Sequence, residues 1–190
     1  GGARGGGVAW GSWFGGSPLR GLEQLGDGAR APASRRRAPG LVQFTDTGCY
    51  GPRGLRLVGS TVLGAFHNKL VEIRQDGSVN LLGQLPGKKA VTIARNNRAP
   101  VPDAVAVTEY GAYQVTPTAS PRPLSIPGGL PAPNSVTELF GFLFFTAGNG
   151  YCYATGVNSL DISTLDYTVE QARPGGLTRG VAFRDELFLF

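Results

Sequence analysis

From residue 41 onwards the chain is written in short apolar runs separated by Gly, Pro, Asn and Asp. The runs are LVQF (41–44), LRLVG (55–59), TVLGAF (61–66), KLVEIR (69–74) and SVNLLG (78–83). AVTIAR (90–95), AVAVTEY (104–110), AYQVT (112–116) and PLSI (123–126) follow, then SVTELF (135–140), FLFFTA (142–147), YCYAT (151–155) and DYTVE (166–170). GVAF (180–183) and LFLF (187–190) come last. Runs of this length, rich in β-branched and aromatic residues, predict strands. No segment keeps a helical period over three turns. Asp76-Gly77 predicts a hairpin turn, because the turn needs positive φ and Gly supplies it without steric cost. His67-Asn68 is predicted to turn the preceding strand pair.

The spacing of the runs carries more than their existence. Pro-Gly pairs at Pro39-Gly40, Pro86-Gly87, Pro127-Gly128 and Pro174-Gly175 stand 47, 41 and 47 residues apart. Each interval holds about four strands, which is the size of one β-propeller blade. The predicted fold is therefore all-β, with repeated four-stranded blades over residues 38–190. A sandwich or a chain of meanders is the alternative. About three units and the start of a fourth fit into this length, and propellers close with four or more. The ring is therefore expected to be completed by further sequence.

Composition separates the first 37 residues from the rest. GGARGGG opens the chain, Trp10, Trp13 and Phe14 sit among glycines, and Arg35-Arg36-Arg37 closes the segment. No period survives there, so an irregular Gly/Arg-rich arm is expected, with aromatics that want a surface to bury against. Residues 1–40 hold six Arg against Glu23 and Asp27, a net of +4. Residues 41–190 hold twelve Lys and Arg against eleven acids, a net of +1. The basic character of the chain belongs to the arm, and a uniformly basic nucleic-acid surface is not expected. With only 16% charged residues, much of the surface is expected to be covered by neighbours, the alternative being that Thr, Asn and Ser keep it wet.

Candidate chemistry is sparse. Cys49 and Cys152 are too far apart in sequence for a metal-ligand pair and are expected to be buried free thiols. His67 is the lone histidine, and Ser60 and Thr61 beside it form no nucleophile motif. GQLPGKKAVTI (83–93) resembles a phosphate loop only superficially. Three residues, not four, separate its glycines, and a β run follows Lys88-Lys89 where a helix would be needed. Asp161, Asp166 and Glu170, and Asp185 with Glu186, are read as solvated acids at strand ends, without calcium-loop spacing. No catalytic residue, metal or cofactor is expected. No apolar run approaches the length of a membrane span.

The ordered pattern from Gly40 onwards resembles the packaged-DNA stabilisation, or tail hub and nozzle, proteins of short-tailed bacteriophages. The resembling elements run from Phe140 to Phe142, a "gyf"-type turn, and from Thr146 to Tyr153, a "t-x-g-n-g-x-x-y" hairpin. Asp161 to Asp166, Ala172 to Pro174 and the strand pair Val181 to Phe190 follow. Ala38-Pro39-Gly40-Leu41 and the stretch GAFHNKLVEIRQDGSVNLLGQL look like the family's opening and its early strands. The resemblance implies a structural virion component of the phage tail, made in the host cytoplasm. Such a protein would form a ring of copies below the portal, extend the DNA channel, and meet tail fibre, spike or needle proteins. Arg35, Arg36, Arg37, Lys88 and Lys89 are candidates for contact with DNA or a neighbouring subunit. Two other readings stand beside it. One is a carbohydrate- or protein-binding propeller, and the other is a nucleic-acid binder led by the Arg/Gly arm.

Overall fold

A computed structural model of the chain describes residues 43–170 and 175–190, and within these every regular element is a strand. The first sheet holds β1 (Pro52–Val58), β2 (Thr61–Phe66), β3 (Lys69–Ile73) and β4 (Val79–Gln84). The second holds β5 (Thr92–Arg95), β6 (Ala104–Thr108), β7 (Gly111–Thr116) and β8 (Ala119–Pro123). The third holds β9 (Ser135–Leu139), β10 (Phe142–Thr146), β11 (Tyr151–Thr155) and β12 (Ile162–Val169). A hairpin of β13 (Gly180–Phe183) and β14 (Glu186–Leu189) follows. Every sheet is an antiparallel meander in which each strand pairs with its sequence neighbour. These are three four-stranded blades and the first two strands of a fourth. Pro86-Gly87 lies between β4 and β5, Pro127-Gly128 between β8 and β9, and Gly175 between β12 and β13.

The blades stack through two apolar clusters, one on each side of the second blade. Val58, Leu63, Ala65 and Leu70 of the first blade meet Ile93, Ala104, Ala106 and Val115. Val105, Val107 and Ala112 turn the other way, against Val136, Leu143, Phe145 and Tyr153. The residues of β6 are buried throughout because both of its faces are covered, so its sequence reads AVAVT rather than apolar–polar alternation. Small Ala side chains serve one seam and larger Val the other. Phe145 and Tyr153 stack at 5.4 Å in the second seam. The Tyr153 hydroxyl donates to the carbonyl of Pro131 at 2.8 Å, which satisfies the one polar atom this ring brings inside. Burial of two such rings contributes roughly 1.5–3 kcal/mol each.

The first strands of successive blades lie side by side and in step, as hydrogen bonds between their starting residues show. The Val91 N–H donates to the Arg53 carbonyl at 2.9 Å, the Val136 N–H to Thr92 Oγ1 at 3.0 Å, and the Gly180 N–H to Ser135 Oγ at 3.3 Å. These strands therefore form the inner wall, and β4 and β8 lie outside. Ser120 Oγ ties the outer strands by donating to the Leu82 carbonyl at 2.7 Å.

Three local expectations are corrected. Within LVQF, Gln43 and Phe44 form no strand. Phe44 is 67% exposed, and Thr45 beside it donates to the Gly77 carbonyl without entering a ladder. PLSI is not the outer strand of the second blade either. That strand, β8, runs from Ala119 and stops at Pro123. Pro121 and Pro123 lack an N–H, which an edge position tolerates, while Leu124 and Ile126 pack on the core instead. Cys49 is only partly buried, whereas Cys152 is buried as expected. Cys49 lies in the segment before β1, outside every described strand, whereas Cys152 lies within β11.

Candidate functional site

The inner strands β1, β5, β9 and β13 enclose a cleft of about 880 Å³ along the axis around which the blades are arranged. Its size lies within the range of ligand sites, roughly 300–1,000 Å³. Because each inner strand begins at one end of the cleft and turns at the other, one mouth is ringed by the turns that lead into the second strands. Those turns are Gly59-Ser60, the loop 96–103, Phe140-Gly141 and Arg184-Asp185.

Phe140 has φ of +54° and is 63% exposed. A bulky side chain in this conformation costs roughly 1–2 kcal/mol, and such positions gather at functional sites. Gly141 follows at φ +84°, so both central residues are left-handed, as a tight hairpin turn between right-twisted strands requires. The turn is held by a polar network. Glu138 Oε1 accepts from the Gly141 N–H at 2.9 Å and from Asn97 Nδ2 at 3.2 Å. Asn158 Oδ1 accepts from the Asn97 N–H at 2.9 Å, and the Asn158 N–H donates to the Gly141 carbonyl at 2.9 Å. The network joins the second blade to the third and fixes Phe140 at the rim.

The loop 96–103 is closed just as firmly. Asn96 Oδ1 accepts from the Asp103 N–H at 2.8 Å, Asn96 Nδ2 donates to Asp103 Oδ2 at 3.0 Å, and Arg98 pairs with Asp103 at 3.0 Å. The Ala99-Pro100 bond inside the loop is cis.

Four arginines line the cleft, at positions 53, 56, 179 and 184, against the single carboxylate of Glu138. Arg53 is committed to structure. Its guanidinium donates to the carbonyls of Lys89 (2.7 Å), His67 (2.6 Å), Leu85 (3.0 Å) and Pro86 (3.1 Å). Burial lowers its affinity for the proton, which Glu109 partly restores. Arg56, Arg179 and Arg184 are exposed, and among the described residues none of them is in an ion pair. The Arg184 guanidinium lies 5.4 Å from the centre of the Phe183 ring.

The residues singled out from sequence lie elsewhere. Arg35, Arg36 and Arg37, with the arm and its aromatics, fall outside the described residues. Lys88 and Lys89 form an exposed turn between the first two blades. The Lys88 N–H donates to Glu109 Oε1 at 2.8 Å, and the Lys89 ammonium stands 4.0 Å from Glu109 Oε2. His67 occupies its predicted turn at φ +47°, lies against Tyr50 with the two rings tilted by 45° and their centres 5.2 Å apart, and meets Asn68 Oδ1 at 3.0 Å. Asp161, Asp166, Glu170, Asp185 and Glu186 are exposed, and the described residues hold no metal-binding group of His, Cys, Asp and Glu. No described helix is long and apolar enough to cross a membrane. The turn at Phe140–Phe142 is legible from sequence as one of the resembling elements, but Phe140 is not among the residues that sequence offers as a site.

Several solved structures share this fold. BamB from Moraxella catarrhalis superposes with a TM-score of 0.51 at 12% identity, over 71% of this chain and 39% of that one. Virginiamycin B lyase from Staphylococcus aureus superposes with a TM-score of 0.53 at 18% identity, over 71% and 47%. Both are β-propeller proteins. The fold is that of a β-propeller. At these identities the likeness is one of fold alone, and the chain spans less than half the length of either protein. No protein-family model matches the sequence, and no curated protein matches it.

Proposed function

We propose that this chain is a non-catalytic β-propeller module that binds another protein at the rim of its axial cleft. The observation that carries the reading is Phe140. An aromatic ring is kept in a left-handed turn, largely in water, by a hydrogen-bond network that spans two blades. A packing role would bury the ring, and a turn role alone is served better by Gly or Asn. Rigid exposed aromatics are the residues that anchor protein interfaces.

The test is a photo-crosslinking amino acid placed at position 140 in the producing cell, with the same probe at exposed Tyr110 as control. Tyr110 lies in the turn between β6 and β7, at the opposite end of the blades. A protein adduct formed from position 140 and absent from position 110 supports the reading. Adducts of equal yield from both positions, or none from position 140, sink it.

The tail-hub role is one particular form of a protein-binding propeller, and the sequence resemblance over residues 38–190 supports it. Its partners would be other copies in a ring, the portal or adaptor, fibre or spike proteins, and DNA in the channel. Negative-stain microscopy of the protein mixed with a portal ring tests this form. Capping rings with a central hole support it, and persistent monomers that ignore the portal refute it.

A further inference from the structure

We infer that the axial cleft seats an acidic polypeptide segment of the partner, with carboxylates paired to Arg56, Arg179 and Arg184 and an apolar side chain laid on Phe140. The inference rests on the protein-binding reading and names the chemistry of the partner.

Three exposed guanidiniums converge on one concave surface whose single described carboxylate is Glu138. An unpaired guanidinium in a recess loses hydration that a carboxylate replaces with two parallel N–H···O bonds. Among the described residues no carboxylate pairs with these three, whereas Arg74 is paired with Glu72 at 3.0 Å and Arg98 with Asp103; Arg95 and Arg122 are also without an ion pair but do not line the cleft. The charge is therefore concentrated in the cleft while the rest of the described surface is mixed.

Glu138 decides between an acidic peptide and a nucleic acid. It accepts two N–H bonds, from Gly141 and Asn97, and it stands in the wall of the cleft. A phosphodiester backbone has one negative charge per unit and no donor to turn toward that carboxylate. A peptide spaces its carboxylates and presents backbone N–H groups between them. The inner strands are the edge strands of their sheets, so their unpaired edges, which face the cleft, also offer backbone groups to an extended chain.

The experiment is fluorescence anisotropy of a short Glu-rich peptide carrying one Phe, against the same peptide with Gln in place of Glu and against oligothymidylate of equal charge. The variants are Arg56→Gln and Arg184→Gln in the cleft, Phe140→Leu at the rim, and Arg122→Gln on the outer strand β8 as control. The cleft positions are exposed, and urea midpoints check that each variant is folded. The acidic peptide is expected to bind, with affinity falling with salt and weakening about tenfold in each cleft variant, as for loss of one charge-assisted pair. Arg122→Gln is expected to leave it unchanged. Equal binding of the Gln peptide, equal affinity across all variants, or oligothymidylate binding with the same arginine dependence overturns the inference. Position-specific crosslinks at residue 140 without acidic-peptide binding overturn the cleft chemistry and leave protein binding standing. Arginine-dependent peptide binding without those crosslinks does the reverse.

Discussion

The backbone of Gly54 in β1 lies against the carbonyl of Val91, just before β5, so closely that a Cβ at position 54 would overlap the Val91 oxygen. The Val91 N–H donates to Arg53, the neighbour of that glycine. The first two blades are thus joined backbone to backbone at the inner wall, with no side chain between them. Gly54 has ordinary backbone angles. Its requirement is for space, and what it faces is backbone that cannot swing aside. Gly54→Ala is expected to lower stability by about 2–4 kcal/mol. Urea unfolding would measure it, and a loss below about 0.5 kcal/mol would mean that the seam gives way easily.

Arg53 itself closes the same seam from the side. Truncation would leave four carbonyls of residues 67, 85, 86 and 89 without their donor. Arg53→Ala is expected to cost about 3 kcal/mol or more, since each buried unpaired acceptor costs roughly 1–3 kcal/mol and water recovers some of them. Arg53→Lys should recover only part of this, because an ammonium lacks the planar fork. Thermal or urea unfolding of both variants checks the order.

Phe140 behaves in the opposite sense. Its ring is mostly in water while its backbone is strained. Phe140→Asn is expected to stabilise the fold by about 1 kcal/mol, the cost of the left-handed conformation for a bulky residue. Phe140→Val should destabilise it. A gain of stability joined to weaker binding of the acidic peptide would identify the strain as retained for binding. Loss of stability in the Asn variant would show that the ring is part of the core after all.

The two cysteines should differ in reactivity. Burial pushes the Cys152 thiol up to about 11, from an ordinary value of 9.0. The folded state therefore favours the neutral thiol. Its contribution to stability is fully present below pH 9 and is lost as the pH rises towards 11. The loss is at most about 3 kcal/mol. Cys152→Ala should flatten that alkaline limb of the stability profile. At neutral pH a disulfide reagent should label Cys49 quickly and Cys152 only on unfolding.

The repeat was legible because it is local. Strand-length apolar runs and Pro-Gly punctuation arise from the needs of each meander separately, and a meander is written in consecutive residues. PLSI misled because apolar content does not distinguish a strand from a packing segment, and the strand that precedes it is Pro-rich and at an edge. The cleft was illegible for a different reason. Arg56, Phe140 and the Arg179–Arg184 pair come from three different blades, and only the stacking of inner strands brings them to one cavity. Lys88-Lys89 attracted notice as adjacent charges, yet adjacency in sequence placed them on an outward turn against Glu109. Even the Asn97–Glu138–Asn158 network involves residues whose separations in sequence carry no pattern.

Sheets in which each strand pairs only with its predecessor also impose a calendar on synthesis. Each blade can be finished as soon as its fourth strand leaves the ribosome, because among the described residues no later strand enters that sheet. The second blade then docks Ala104 and Ala106 on a surface already waiting, and in turn offers Val105 and Val107 to the third. A nascent chain would therefore carry one sticky leading face at a time, renewed and then covered as translation proceeds. A pause within a blade leaves an unfinished sheet exposed, whereas a pause after Gln84 or Pro123 leaves complete ones. The connections that hold the Pro-Gly pairs are in this sense the safe stopping places of the gene.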